Sequence, residues 1–296
     1  METVKKYLLV VNPISGDLDK AEILSLVDAY AENEGIEIIK FETTGTDDKE
    51  SIINLFETHA PQRILVAGGD GTIKLVAEAM ESKDVILGIL PAGSANGLSV
   101  DLDLPAAIED NLQIAFNNDF MELDMVCING EKSLHLADLG LNAGLVKNYE
   151  ESSVRGKIGY ALQSIATLQE HEAFNAVVEA NGQTIETEAR MIVIANSQKY
   201  GTGVTINPMG KMDDGKFEIV ILKTFDLVLF GKIVTGNMPT DTDEVEIIST
   251  DKAKVRTTVP VHFQIDGEYF GEETELDIHI LPKQMKVAIP TKKQEA

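Results

Sequence analysis

The chain has 296 residues, 44% of them hydrophobic, and carries 49 acidic against 25 basic side chains, a formal net charge of −24. It is long enough for two domains with their own cores and is not a disordered tail. Its charge disfavours nucleic acid as a partner, and an anionic membrane needs a local basic patch.

A single cysteine, Cys127, excludes an internal disulfide and a thiolate metal cluster. No stretch approaches the ~20 apolar residues of a membrane span. The start, "METVKKYLLVVNP", lacks a signal-peptide pattern, so the expected location is cytoplasmic.

In chain order, "YLLVV" (7–11) is a continuous apolar run closed by Asn12-Pro13, as in a strand buried on both faces. Residues 20–33 place Ile23, Leu24, Leu26, Val27 and Tyr30 at helical spacing, with Asp17 or Asp19 as cap and Gly35 as stop. A strand at "IEIIKF" (36–41) precedes a helix over 49–60, capped by Asp47 or Asp48. "RILVAGG" (63–69), a helix on "TIKLVAEAMES" and a strand at "VILGILP" (85–91) complete the series. This alternation predicts a parallel sheet with helices on its faces. In such sheets ligands sit at the carboxyl ends of the strands. Three of those ends are Asn12-Pro13-Ile14-Ser15-Gly16, the loop Gly68 to Thr72, and Pro91-Ala92-Gly93-Ser94-Ala95-Asn96-Gly97.

After about residue 118 the texture changes. Runs such as "MELDMVCING", "FNAVVEA", "GKFEIVILK" and "TELDIHIL" alternate or are β-branched, with Gly, Asn and Asp turns between them. Asn181-Gly182 between two runs signals a hairpin. One helix is expected near Arg155 to Glu170. The expected architecture is an α/β domain over 1–120 and a mostly antiparallel β domain over 121–283, with the tail "TKKQEA" disordered.

Gly68-Gly69-Asp70-Gly71-Thr72 holds more glycine than a connecting loop needs. Glycines let backbone N–H groups converge on an anion at a helix N-terminus, which itself favours negative charge. Asp70 opposes direct phosphate binding unless a Mg²⁺ bridges the two.

This string resembles the nucleotide-binding motif of the diacylglycerol kinase catalytic family, which includes sphingosine and ceramide kinases and bacterial lipid kinases; NAD kinases share it. Residues 12–16 resemble the family's "NPxSG" loop, and "LPAGSANGLS" (90–99) its "P-x-G-[ST]-x-N" segment. "QIDGE" (264–268) resembles its late "DGE", and "INPMGKMDDGKFEIVIL" (206–222) the stretch ending "DG-x-[LF]". The matches keep the family's order from residue 8 to residue 268.

The resemblance implies a two-domain lipid kinase fold with the active site in a cleft between the domains, a NAD kinase-like first sheet, and a last strand, about 284–292, returning to the first domain. It implies ATP and Mg²⁺ as cofactors, a lipid alcohol such as a diacylglycerol or sphingosine as acceptor, peripheral membrane contact, and a homodimer as a further expectation. Asn12, Pro13, Ser15, Gly16, Gly68, Gly69, Asp70, Gly71, Thr72, Gly93, Ser94 and Asn96 are the implied nucleotide residues, with Thr43, or Thr44 as the alternative. Asp266 is the implied general base with Glu268 in support, and Asp70 holds Mg²⁺ through water. Asp214 with the carbonyls of Lys211 and Lys216 matches a structural metal site of bacterial members.

The chain departs from the family at Gly97, where bacterial diacylglycerol kinases carry Asp, and at Lys74-Leu75, where members often carry Asn-Glu. These departures keep one alternative open, a non-catalytic nucleotide-binding regulator of the same fold; a second alternative, a NAD kinase-like phosphotransferase, follows from the shared Gly68 to Thr72 string and is disfavoured by "PAGSAN" and the late "DGE". Outside the motifs, five histidines show no ligand spacing and predict no zinc site. Arg155-Gly156-Lys157 is a basic step that reaches phosphate or headgroup, or is solvated. Met209, Met212 and Met238 fill core or line an acyl pocket.

Overall fold

A computed structural model describes residues 4–16, 20–94, 96–140, 173–199, 204–224, 229, 232–233, 235–240 and 242–291. The expected helix near 155–170, the step Arg155-Gly156-Lys157, the caps Asp17 and Asp19 and the tail after Thr291 lie outside them. The chain divides into two compact units: Met1–Leu123 with Lys283–Ala296, and Asp124–Pro282.

In the first unit β1 (Lys5–Val11), β2 (Ile36–Glu42), β3 (Arg63–Gly68) and β4 (Ile86–Pro91) form a parallel sheet in the order β4-β3-β1-β2. The last residues of the long strand β14 (Glu268–Ala288) join it beside β4, with Lys286 opposite Ile86 and Val287 opposite Leu87. The inner strands β1, β3 and β4 are apolar and buried over most of their length, as in a sheet covered on both faces, whereas the edge strand β2 is largely half-buried or exposed. On one face α1 (Lys20–Glu34) and α5 (Ile108–Asn117) bury Ile23, Val27, Ala31, Leu112, Ala115 and Phe116 against Tyr7, Leu9, Val11, Leu65 and Leu90. The helices α2 (Asp48–His59) and α3 (Asp70–Ala79) pack against each other, and α4 (Gly97–Asp101) is a short fifth helix.

Gly35 ends α1 at a left-handed φ of 66°, as its position predicts. The capping of α2 differs from expectation. Asp47 occupies the cap position with a left-handed backbone and no side-chain cap, while Asp48 turns back to accept from Thr44 N and Gly45 N at 2.9 and 2.8 Å.

In the second unit β7 (Leu136–Gly140), β10 (Met191–Ala195), β11 (Phe217–Leu222), β12 (Val245–Thr250), β13 (Lys252–Ile265) and β14 pair in the order β12-β11-β10-β7-β13-β14, antiparallel throughout. Further strands are β5 (Phe120–Ile128), whose residues up to Leu123 belong to the first unit, β6 (Glu131–Ser133), β8 (Phe174–Ala180) and β9 (Gln183–Ala189); β8 pairs with both β13 and β9. Asn181 and Gly182, with φ of 53° and 73°, make the tight turn between β8 and β9 that their sequence predicts. Met212 and Met238 are buried, whereas Met209 is 57% exposed and fills no core. Among the described residues no helix is long and apolar enough to cross a membrane.

Candidate active site

Three loops follow the carboxyl ends of β1, β3 and β4, adjacent strands of one sheet. They are tied to one another by their own atoms. Asn12 N donates to Ala67 O at 3.0 Å, and its Nδ2 reaches Thr72 Oγ1 at 3.3 Å. Ser15 Oγ donates to Ala92 O at 3.2 Å. Lys20, at the start of α1, donates through Nζ to both Ser15 O and Ala92 O, at 2.5 and 2.8 Å. In the third loop Gly93 N donates to Asn96 Oδ1 at 2.7 Å, and Asn96 Nδ2 returns to Gly93 O at 2.9 Å. Ser94 is exposed beside them, and Pro13 is exposed in the first loop.

The glycines of the second loop serve two purposes. A Cβ on Gly68 would lie 2.5 Å from Thr72 Oγ1, and one on Gly69 would lie 3.1 Å from Gly93 Cα. A Cβ on Gly93 would meet Gly69 Cα at 2.4 Å, and one on Gly16 would meet Ala92 O at 2.7 Å. Gly16, Gly69 and Gly93 are kept bare by the protein's own backbone, and Gly68 by the side chain of Thr72. Gly69 has φ −96°, so close approach, not a left-handed backbone, is its constraint. Gly71 is different: it is exposed in the first turn of α3, and a Cβ there meets nothing within 4 Å. Its bareness leaves the N-terminus of α3 open to an outside group, at the end where unpaired N–H groups and the helix dipole favour an anion.

Asp70 is more engaged than an exposed loop residue. Its Oδ2 accepts from Gly97 N at 2.8 Å and its Oδ1 from Leu98 N at 3.0 Å, which caps α4. Gly97 thus supplies a backbone donor to Asp70. Each carboxylate oxygen has two lone pairs, so this bonding is compatible with a water-mediated contact to Mg²⁺. Thr43 follows β2 and donates its N–H to Val11 O at 2.9 Å, placing it beside the first loop; Thr44 is exposed and bonds to Asp48. Burial pushes the Asp48 carboxyl up, but the donors of Thr44 and Gly45 outweigh it and hold the group below its ordinary range.

In the second unit Asp266 and Gly267, with φ of 51° and 88°, form the turn joining β13 to β14. Asp-Gly suits such a turn, yet the Asp266 side chain is also held. Its Oδ1 accepts from Ser133 Oγ at 3.0 Å, from His135 N at 2.9 Å and from Leu136 N at 3.4 Å, and its Oδ2 accepts from Leu134 N at 2.9 Å. Glu268 is exposed as the first residue of β14.

Asp214 is exposed and accepts from Lys216 N at 3.1 Å, a local turn bond. That turn is anchored by Asp124, 1% exposed, whose Oδ2 accepts from Gly215 N at 2.7 Å and whose N–H reaches Met212 O at 2.7 Å. Among the described residues no group of three or more His, Cys, Asp and Glu could hold a metal ion by side chains alone. Lys20, Asp124 and Ser133 carry no motif signal in the sequence. Each has a partner far along the chain, Ala92, Gly215 and Asp266 respectively, so only the folded structure shows their roles.

Comparison with known proteins bears on the same two units. Residues 6–128 match the model of the Diacylglycerol kinase catalytic domain, and residues 137–289 that of the YegS C-terminal NAD kinase beta sandwich-like domain. The diacylglycerol kinase of Bacillus subtilis is 25% identical over 284 residues, covering 90% of this chain and 91% of its own. The protein named Probable lipid kinase YegS of Salmonella arizonae is 24% identical over 295 residues, covering 96% of this chain and 95% of its own. A solved Bacillus anthracis structure described as a diacylglycerol kinase aligns with TM-score 0.75 at 19% identity, covering 98% of each chain, and shows the shared fold. An α/β unit with a parallel sheet followed by an antiparallel β unit is thus what both the geometry and the relatives have in common, and the chain belongs to the lipid kinase family that joins a diacylglycerol kinase catalytic domain to a YegS-type C-terminal domain.

Proposed function

We propose that the chain transfers the γ-phosphoryl group of ATP to the hydroxyl of a lipid alcohol, diacylglycerol- or sphingosine-like, in a Mg²⁺-dependent reaction. The observation that carries the reading is the open position over Gly71 at the N-terminus of α3, framed by loops whose other glycines are closed by protein atoms. Backbone N–H groups there suit phosphate oxygens. Asn12, Pro13, Ser15 and Gly16, residues 68–72, and Gly93, Ser94 and Asn96, with Thr43, take the nucleotide. Mg²⁺ supplies neutralisation of phosphate charge, with Asp70 as its carboxylate through water. Asp266 accepts the proton of the acceptor hydroxyl as that oxygen attacks phosphorus in line, and Glu268 supports it. A structural cation at Asp214 and the carbonyls of Lys211 and Lys216 belongs to the same reading, as does peripheral contact with a membrane that presents the lipid.

The test is transfer of label from γ-labelled ATP to a panel of diacylglycerol, sphingosine, ceramide and NAD, with and without chelation of Mg²⁺. Labelled lipid, abolished by chelation, supports the reading; label on NAD alone replaces it with the NAD kinase-like one. Gly71→Ala sharpens the test. An exposed glycine early in a helix is replaced by a better helix former, so stability should rise by about 0.5–1 kcal/mol. ATP affinity, measured by calorimetry with a non-hydrolysable analogue, should fall at least about tenfold as the methyl enters the phosphate approach. Unchanged affinity would remove the loop from the nucleotide site.

A second reading, a nucleotide-binding regulator without catalysis, is favoured by one observation. Position 97, whose backbone N–H bonds to Asp70, is a glycine and brings no second carboxylate beside it. ATP binding without label on any acceptor selects it.

A further inference from the structure

The side chain of Asp266 is held by more than its turn requires. Asp and Gly at two left-handed positions satisfy a two-residue hairpin by backbone conformation alone. Yet the carboxylate folds back onto residues 133–136, taking the hydroxyl of Ser133 and the N–H groups of Leu134 and His135 at 2.9–3.0 Å. Ser133 is 1% exposed. A buried hydroxyl costs free energy unless it is bonded, and this one is spent on Asp266.

The donor loop is itself fixed from its carbonyl side. Asn196, fully buried, donates through Nδ2 to Leu134 O at 2.9 Å, and its N–H reaches His135 O at 2.8 Å. Ser197 N also reaches His135 O, at 3.3 Å, and Ser197 Oγ lies 3.3 Å from His135 Nδ1. The same Asn196 Nδ2 bonds Asp124 O at 2.9 Å. Residues 133–136 therefore present a preset row of donors to one carboxylate, with their carbonyls pinned behind them.

We propose that Ser133 is the positioning residue for Asp266, its hydroxyl holding the carboxylate in the orientation that receives the acceptor's proton. This inference rests on the reading of Asp266 as the base. Small displacements of a reacting group cost large factors in rate, and the side-chain hydroxyl is the donor of this set that substitution can remove.

The experiment uses the full chain, γ-labelled ATP, and dioctanoylglycerol or sphingosine in detergent micelles. Ser133→Ala is expected to lower kcat about tenfold, with ATP affinity and the acceptor KM changed less than about twofold. Asp266→Asn should lower kcat further, by about 10²–10⁴. In the Asp266→Asn background, Ser133→Ala should change the residual rate by less than about twofold, because a residue acting through another adds nothing once that one is gone. Ser133→Cys, a weaker donor, should fall between wild type and Ser133→Ala, and carries the test alone if Ser133→Ala does not fold.

Wild-type kcat in the Ser133 variants beside an inactive Asp266→Asn overturns this inference and leaves the base reading standing. An equal fold loss in both backgrounds also overturns it, since Ser133 then acts independently of Asp266. A fully active Asp266→Asn, or a wild type that labels neither lipid, overturns the base reading and the inference with it.

Discussion

Removing the carboxylate of Asp70 takes away two acceptors at once, those of Gly97 N and Leu98 N. Leu98 is fully buried and Gly97 is buried beside it, so the stranded N–H groups have poor access to water. Asp70→Ala should therefore lose about 1–3 kcal/mol of stability in addition to any loss of turnover. Thermal melting detects this, and an unchanged melting temperature would return Asp70 to a purely ligand-facing role. Asp48 makes a second residue-scale case with a defined sign. Its folded pKa lies below its ordinary value, so its contribution is present above the unfolded pKa of ~3.9 and is lost as pH falls through the folded value. The melting difference between wild type and Asp48→Asn, worth about 1 kcal/mol at pH 7, should shrink on acidification from about pH 5 to pH 3. A difference that stays constant over that window would mean the Asp48 contribution does not depend on its charge.

At the scale of elements, what the sequence discloses is local periodicity, and what it conceals is contact between distant segments. "YLLVV" and "RILVAGG" announce β1 and β3 because strands covered on both faces tolerate only apolar residues. The helix α5 is also periodic, through Ile108, Leu112, Ala115 and Phe116, but sits beyond the strand–helix alternation that drew the expected elements. The loop glycines show the limit most clearly. Their abundance marks the place, but Gly69 is bare because Gly93 crosses it, whereas a Cβ on Gly71 would meet nothing in the chain. Likewise Asp-Gly at 266–267 taken alone reads as a turn and only the other motifs turn the reading toward a base, and it takes the folded chain to show that the side chain is held by the donors of 133–136. The crossing of the two loops is testable: Gly93→Ala places a methyl 2.4 Å from Gly69 Cα. Neither partner is a flexible side chain, so the loops must separate. ATP affinity should fall at least about tenfold while the antiparallel unit keeps its hydrogen-exchange protection. Wild-type affinity would show that the loops bind independently.

At the scale of the whole molecule the first unit is discontinuous, since its sheet is completed by residues after Pro282. Met285, Val287 and Ala288 are buried there at 5, 0 and 0% exposure. Asn118 Nδ2 donates to Ile289 O at 2.9 Å, and Ile289 N donates to Asp119 O at 3.1 Å. Three buried apolar side chains are worth about 3–6 kcal/mol, a large share of the 5–15 kcal/mol that holds a typical domain folded. A chain ending at Pro282 would also leave β4 without its partner at Ile86 and Leu87, exposing backbone groups on a new edge. The third loop follows β4 directly, so loosening the strand loosens the loops proposed to take the nucleotide. Such a truncated chain should show fast hydrogen exchange across β1 to β4 and no measurable affinity for an ATP analogue, while β7, β10 and β11 stay protected. If the truncated chain instead bound the analogue with wild-type affinity and kept β4 protected, the return of the chain would be dispensable and the first unit would close without it.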